Sequence, residues 1–353
     1  MNSNPIEAVS AIIPARNEEA NIARVVRSLA GQDGLGEIIV VDDQSDDRTS
    51  EILRGLEAEV PALCSLRIES LPEGWLGKSF ALATGASVAS GEWLLFTDAD
   101  TEHLPGSLAA LLDVAQDRGA DLLSVSPGQE TPTWWERSVI PFVYVKLAEI
   151  YRFEDVSDPN SPAAAANGQY VLVRRETYQR LGGHEAVRSA ILEDVELARR
   201  VKAAGGRLVF LPGAAWVRTR MYRTFGEMWR GWTKNLYLLY GGDLERILGG
   251  FLDAWVSDAL PALAFLAACF WLASGRGSAV SAAVAVACFL LVVYGHWSYG
   301  RALRRLGFDA RLAGYQIPGA LLFSVLLANS AWAHRGAGHV QWKGREYSTK
   351  AKQ

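Results

Sequence analysis

Three long stretches near the C-terminus constrain this chain more than any other feature, because they carry no acidic or basic side chain except a histidine. Ala259 to Gly275, Gly277 to Gly300 and Leu312 to Ala333 all lack Asp, Glu, Lys and Arg. A helix needs roughly 20 apolar residues to cross the hydrocarbon core. The runs therefore predict a membrane module over about 236–335, with hydrophobic segments near 253–275, 278–299 and 313–333. Buried helices of a soluble domain would need amphipathic partners, and the short connections supply none. Asp253 and Asp258 open the first segment, where a carboxylate has to sit among headgroups or face protein. Arg301, Arg304, Arg305 and Arg311 follow the second segment and put that loop on the cytosolic side. The tail over 336–353 is also basic, which a full third crossing would place outside. Pro318-Gly319 offers a resolution, a re-entrant third segment.

The rest of the composition excludes several classes. Half of the 353 residues are hydrophobic, which rules out disorder. A net charge of −4 argues against nucleic acid as a partner. Cys64, Cys269 and Cys288 build neither a disulfide framework nor a zinc spacing. Met1 to Glu7 lacks the basic start of a signal peptide, so the soluble part is expected in the cytosol.

That soluble part alternates short apolar runs with helical patterns. Ala8 to Ile13, Glu37 to Val41, Ser65 to Glu69, Trp93 to Thr97 and Asp121 to Val125 read as strands. Glu18 to Leu29, Asp46 to Leu56, Lys78 to Ala89 and Leu104 to Gln116 read as helices. Nearly continuous apolar strands separated by helices imply an α/β domain whose central sheet is mostly parallel and covered on both faces. Ligands in such sheets bind beyond the carboxyl ends of the strands. No Gly-x-Gly-x-x-Gly follows the first strand, which disfavours a dinucleotide. Instead the strand ends carry Pro14-Ala15-Arg16-Asn17-Glu18, Asp42-Asp43-Gln44-Ser45-Asp46 and Asp98-Ala99-Asp100. Ser45 or Asp46 suits a helix N-cap. Asp98 and Asp100 would repel each other without a cation nearby, and a hard divalent ion shared with substrate phosphates fits them.

Together with Leu192-Glu193-Asp194-Val195-Glu196-Leu197, these blocks resemble, in their order along residues 8 to 235, the family 2 inverting glycosyltransferases. The resemblance implies the GT-A fold, Rossmann-like, over 1–235, followed by the α-helical transmembrane module. It also implies a nucleotide-sugar donor and divalent Mn or Mg. By position, Pro14, Arg16 and Glu18 would line the nucleoside, and Asp43 would read the base, which favours a UDP-sugar. Asp98 would approach the ribose or the metal, Asp100 would bind the metal, and Lys78 matches a basic position near the nucleotide. Asp194 matches the general base that takes the acceptor proton, although as an acidic residue opening a helix it also suits the dipole.

Gly168, Gln169, His184 and Glu193 match the acceptor or diphosphate side of the family pattern. Phe225, Trp229, Trp232 and Leu236 form one stripe of an amphipathic pattern over 221–240, with Arg223, Glu227, Arg230 and Lys234 opposite. This predicts a helix lying in the membrane interface, as does the aromatic-rich stretch 133–153. Where the family often has Gln-x-x-Arg-Trp, this chain has Glu227-Met228-Trp229-Arg230-Gly231-Trp232, which leaves the roles of Arg230 and Trp232 open. Trp342 and Arg345 of the tail resemble a motif of lipid-glycosylating members such as ceramide glucosyltransferases and the hopanoid- and carotenoid-associated enzymes. The expected protein is a multi-pass enzyme of the inner membrane, its catalytic domain facing the cytosol, glycosylating a hydroxyl of a membrane lipid. Polyprenyl-phosphate glycosylation and a non-catalytic membrane scaffold are the alternatives.

Overall fold

The computed structural model describes residues 9–348, with side chains described except at 340–342 and 346–348. The expectation for Met1 to Glu7, and Lys350 and Lys352 of the tail, lie outside this range. The chain divides into two compact units, the first of residues 1–130 and 151–221, the second of 131–150 and 222–353.

The first unit runs β1 (Val9–Ala15), α1 (Ile22–Ala30), β2 (Leu35–Asp42), α2 (Thr49–Glu59), β3 (Leu63–Arg67), α3 (Gly77–Val88), β4 (Trp93–Phe96), β5 (Thr101–His103), α4 (Ser107–Asp117), β6 (Leu122–Ser126) and β7 (Gly128–Gln129). The chain then leaves for α5 (Trp134–Ile150) in the second unit. It returns with α6 (Phe153–Ser157), β8 (Val171–Arg174), α7 (Arg175–Arg180), α8 (Glu193–Ala203), β9 (Leu208–Pro212) and β10 (Val217–Thr219). The main sheet has the order β3-β2-β1-β4-β8-β6-β9. Only β8 is antiparallel to its neighbours, β4 and β6. Helices cover both faces. Ile22, Val25, Val26 and Leu29 of α1 form the expected stripe and are fully buried. α3 lies so close to the sheet that a Cβ on Gly85 would meet Ile12 Cγ2 at 2.5 Å. A small second sheet, β5-β10-β7, extends the domain beyond the end of β4.

One local expectation fails. Neither Ser45 nor Asp46 caps α2, which begins at Thr49. The Ser45 hydroxyl instead accepts the Asn17 amide at 2.9 Å and so ties together the ends of β1 and β2.

The second unit contains α5, α9 (Phe225–Leu239), α10 (Leu244–Asp253), α11 (Leu260–Trp271), α12 (Ala279–Arg305), α13 (Gln316–Trp332) and a hairpin of β11 (His339–Trp342) and β12 (Arg345–Ser348). Three continuous helical stretches, Leu244–Arg276, Ala279–Arg305 and Ala310–Ala337, are long and apolar enough to cross a membrane. The third is not broken at Pro318-Gly319. Pro318 falls in the first turn of α13, where its missing N–H costs no helical bond. Gly319 lets α5 approach, since a Cβ there would lie 2.5 Å from the Ser138 carbonyl.

Helix α5 differs from its reading as an interfacial part of the catalytic domain. Residues from Ser138 to Lys146 are buried without interruption, and Phe142 packs on Phe323 of α13 at 5.3 Å between ring centroids. Such a helix has no solvent or lipid face along that stretch. In α9 the predicted stripe is also rotated. Met228, Trp232 and Leu236 are buried within the unit, while Phe225 is exposed and stacks on Trp229 at 5.9 Å.

Asp253 and Asp258 do face protein. Lys146 Nζ lies 2.7 Å from Asp253 and 3.3 Å from Asp258. A π-helical turn, Ala254–Ala259, makes this geometry possible. Residues five apart diverge by about 140° on an α-helix but nearly align where bonds run from i to i+5.

Candidate active site

The carboxyl ends of β1, β2 and β4 form one edge of the first unit. At β1 and β2, Arg16 Nη1 donates to the carbonyl oxygens of Asp43 at 2.7 Å and Gln44 at 3.3 Å, and the Asp43 amide donates to Ala15 at 2.7 Å. Asn17 and Gln44 adopt positive φ of 54° and 57°, which folds both turns tightly. Asn is among the few non-glycine residues that tolerate this region. Asp43 is buried, and Pro14 is half-buried in β1. Glu18 is used locally, since its carboxylate accepts from the Asn21 side chain at 2.7 Å.

The second cluster gathers residues from four separated parts of the sequence. Lys78, at the start of α3, places Nζ 2.8 Å from Asp98 Oδ1 and 2.8 Å from Glu193 Oε1. Asp194, at the start of α8, accepts from the Gly168 amide at 2.6 Å and from its neighbour Val195 at 2.8 Å. Gly168 leaves room for the cluster: a Cβ would sit 2.7 Å from Lys78 Nζ and 3.3 Å from Asp194 Oδ2, so the lysine side chain would have to shift.

Burial works against the charge on Lys78, but Asp98, Glu193 and Asp194 outweigh it and hold the ammonium well above its ordinary range. Burial and the Glu193 charge push Asp194 up to about 6, against the pull of Lys78 and the two amides. A carboxylate with that affinity is ionised at neutral pH yet basic enough to accept a proton from an attacking group.

Asp98 and Asp100 are half-buried on the turn after β4. The Asp100 carbonyl is held by Arg24 Nη2 at 2.9 Å and by Thr219 Oγ1 at 3.2 Å. Among the described residues no group of three or more His, Cys, Asp or Glu side chains is arranged for a metal. Two carboxylate oxygens suit a hard cation that takes its other ligands from a diphosphate and water. Asp98 and Asp100 therefore fit Mn or Mg bound with substrate.

The remaining expected residues fall elsewhere. His184 is a core residue, its Nδ1 bonded to the Tyr178 hydroxyl at 2.9 Å and its ring 4.7 Å from Phe96. Burial, with Lys78 adding, lowers its pKa to about 3, so it is neutral. In the second unit Trp232 is buried between Tyr144 and Tyr222, each with its ring centroid 6.3 Å away. Arg230 is exposed and Arg345 half-buried, while the Trp342 side chain lies outside the described residues. Arg24 and Thr219, which hold the Asp100 carbonyl, had no motif to reveal them. Arg24 is one of two arginines in α1, the other being Arg27, and the sequence does not set it apart.

Comparison with known proteins bears on the family and the fold. The model of glycosyl transferase family 2 matches residues 10–182, which include the three strand ends, Lys78 and Gly168. The 4,4'-diaponeurosporenoate glycosyltransferase of Staphylococcus aureus (strain USA300) is 28% identical over 356 aligned positions, covering 98% of this chain and 90% of that protein. Among solved structures, a mannosyltransferase from Pyrobaculum calidifontis in complex with GDP-Man and Mn2+ superposes with a TM-score of 0.52 at 22% identity, over 90% of this chain and 86% of that one. The fold is thus GT-A, as the order of motifs implied, and residues 10–182 form a glycosyl transferase family 2 domain.

Proposed function

We propose that the protein transfers a sugar from a UDP-sugar to a carotenoid-type membrane lipid, with inversion at the anomeric carbon. The observation that carries this reading is Asp194, held by two backbone amides beside Lys78 and Asp98 at the strand ends. The similarity to a diaponeurosporenoate glycosyltransferase along nearly the whole chain, helices included, supports the lipid acceptor. In the reaction Asp194 takes the proton of an acceptor hydroxyl as its oxygen attacks the anomeric carbon from the face opposite the diphosphate. The bond from that carbon to the phosphate oxygen breaks, and UDP leaves with the electron pair. Asp43 and the turn around Arg16 hold the nucleoside, and Lys78 lies where the diphosphate would need a cation. Mn or Mg on Asp98 and Asp100 would offset charge on the leaving group.

The relative's substrate is named as a carboxylate, and this divides acceptors into two kinds. A carboxylate arrives already ionised and needs no base, whereas a hydroxyl does. Purified enzyme incubated with Mn2+, a panel of nucleotide sugars, and both carotenoid acids and carotenoid alcohols should give a glycolipid by mass spectrometry from UDP-sugars. Products only from GDP-sugars, or only on polyprenyl phosphate, would sink the proposal.

We further propose that the protein is multi-pass in the inner membrane, with the catalytic part and the connection carrying Arg304, Arg305 and Arg311 in the cytosol. These arginines are exposed, and among the described residues none forms an ion pair. In a variant without native cysteines, Gly277→Cys should react with an impermeant maleimide on intact spheroplasts and Gly307→Cys should not. The reverse labelling would overturn the orientation.

A further inference from the structure

The segment Asn167-Gly168-Gln169 touches both parts of the second cluster. The Gly168 amide holds Asp194, and the Gln169 carbonyl accepts the Thr97 hydroxyl at 2.8 Å, one residue before Asp98. The Gln169 side chain carries the connection further. Its Oε1 accepts from Gln129 Nε2 at 3.4 Å, and its Nε2 donates to Thr219 Oγ1 at 3.2 Å. The Thr219 hydroxyl in turn donates to the Asp100 carbonyl at 3.2 Å. Thr219 has one hydroxyl proton. Giving it to Asp100 leaves the oxygen to accept from Gln169, so the chain of bonds runs in one direction. Thr97, Gln169 and Thr219 are 0%, 3% and 0% exposed, which shields the Gln169 links to Thr97 and Thr219 from water.

We infer that Gln169 is a positioning residue: through Thr219 its side chain fixes the Asp98–Asp100 turn against the same strand end whose amide holds Asp194. A single tripeptide thereby keeps the two cation-holding carboxylates in register with the base. The assignment rests on the metal-assisted reading above. Because the Asp194 contact is made by the Gly168 backbone, loss of the Gln169 side chain should disturb the metal turn and leave the base alone.

The test uses the full-length detergent-solubilised protein and reads Mn2+ affinity in the presence of UDP, from the electron paramagnetic resonance of free Mn2+. Gln169→Met, similar in volume but without hydrogen bonds, and Thr219→Val should each weaken Mn2+ binding about tenfold. That corresponds to one link of about 1.4 kcal/mol. The double variant should bind no more weakly than either single, since the chain is broken once. Thr219→Ser keeps the hydroxyl and should bind as wild type does. The pH at which the transfer rate is half-maximal should stay unchanged in Gln169→Met. Additive losses, or a lower Tm with unchanged Mn2+ affinity, would reduce Gln169 to an ordinary core amide. Wild-type protein that binds no Mn2+ with UDP would remove the metal reading and this assignment together, and would show before any variant is compared.

Discussion

Replacing Asp194 by Asn should leave UDP-sugar binding intact while transfer to a hydroxyl acceptor falls by about 10²- to 10⁴-fold, the usual contribution of a positioned base. Transfer to a carboxylate acceptor should fall far less, because there is no proton to remove. In the wild-type enzyme, kcat/KM for a hydroxyl acceptor should rise with pH through about 6 and then level off, as Asp194 ionises. Glu193→Gln removes a negative charge that holds the Asp194 proton, so the inflection should move to lower pH. Stability gives an independent reading of the same group. The folded state holds the Asp194 proton more tightly than an ordinary aspartate near 3.8 would, so the stability this provides is complete at low pH and lost as pH rises through about 6. Asp194→Asn should lack that part of the pH dependence in thermal unfolding. Undiminished turnover of hydroxyl acceptors by Asp194→Asn would end its assignment as the base.

Lys78→Met should have the second-largest effect. It strips the ammonium from between Asp98 and Glu193, and Glu193, 7% exposed at its side chain, loses its only ion-pair partner among the described residues. Breaking a fully buried pair costs about 3–5 kcal/mol. Lys78 itself is 36% exposed, so solvent screening reduces the expected loss to about 1–3 kcal/mol. The inflection for hydroxyl transfer should move upward, since a cation that favours ionised Asp194 is gone. Lys78→Arg should recover most of the stability. A Lys78→Met protein with the wild-type Tm and the wild-type pH profile would show that the bridge contributes nothing.

Much of the catalytic fold was legible because its signal is local. β1 is apolar along most of its length and α1 repeats apolar residues at the helical period, so strand, helix and parallel pairing follow from composition. The insertion of β8 between β4 and β6 was not legible. Its four residues look like any short apolar strand, and direction in a sheet is decided by long-range pairing. The site divides along the same line. Asp43, Asp98, Asp100 and Asp194 follow from motifs, while the contact of Lys78 with Glu193 depends on where α3 and α8 end in space. The motifs alone do not separate His184 and Trp232 from contact residues, and burial gives both side chains to the core. Lys146 was overlooked because a cation after a mostly apolar stretch of α5 gives no hint of Asp253 and Asp258 a hundred residues later.

The placement of α5 affects how the protein is made. The helix is encoded between two segments of the catalytic unit, but its partner α13 ends at Trp332. A ribosome adding 5–20 residues per second needs about 10–40 s to cover that distance. Over most of that time Phe142 has emerged without its ring partners, Tyr299 of α12 and Phe323 of α13. The strands of the first unit, the last of them β10 ending at Thr219, are therefore all made before the helix encoded among them meets those partners.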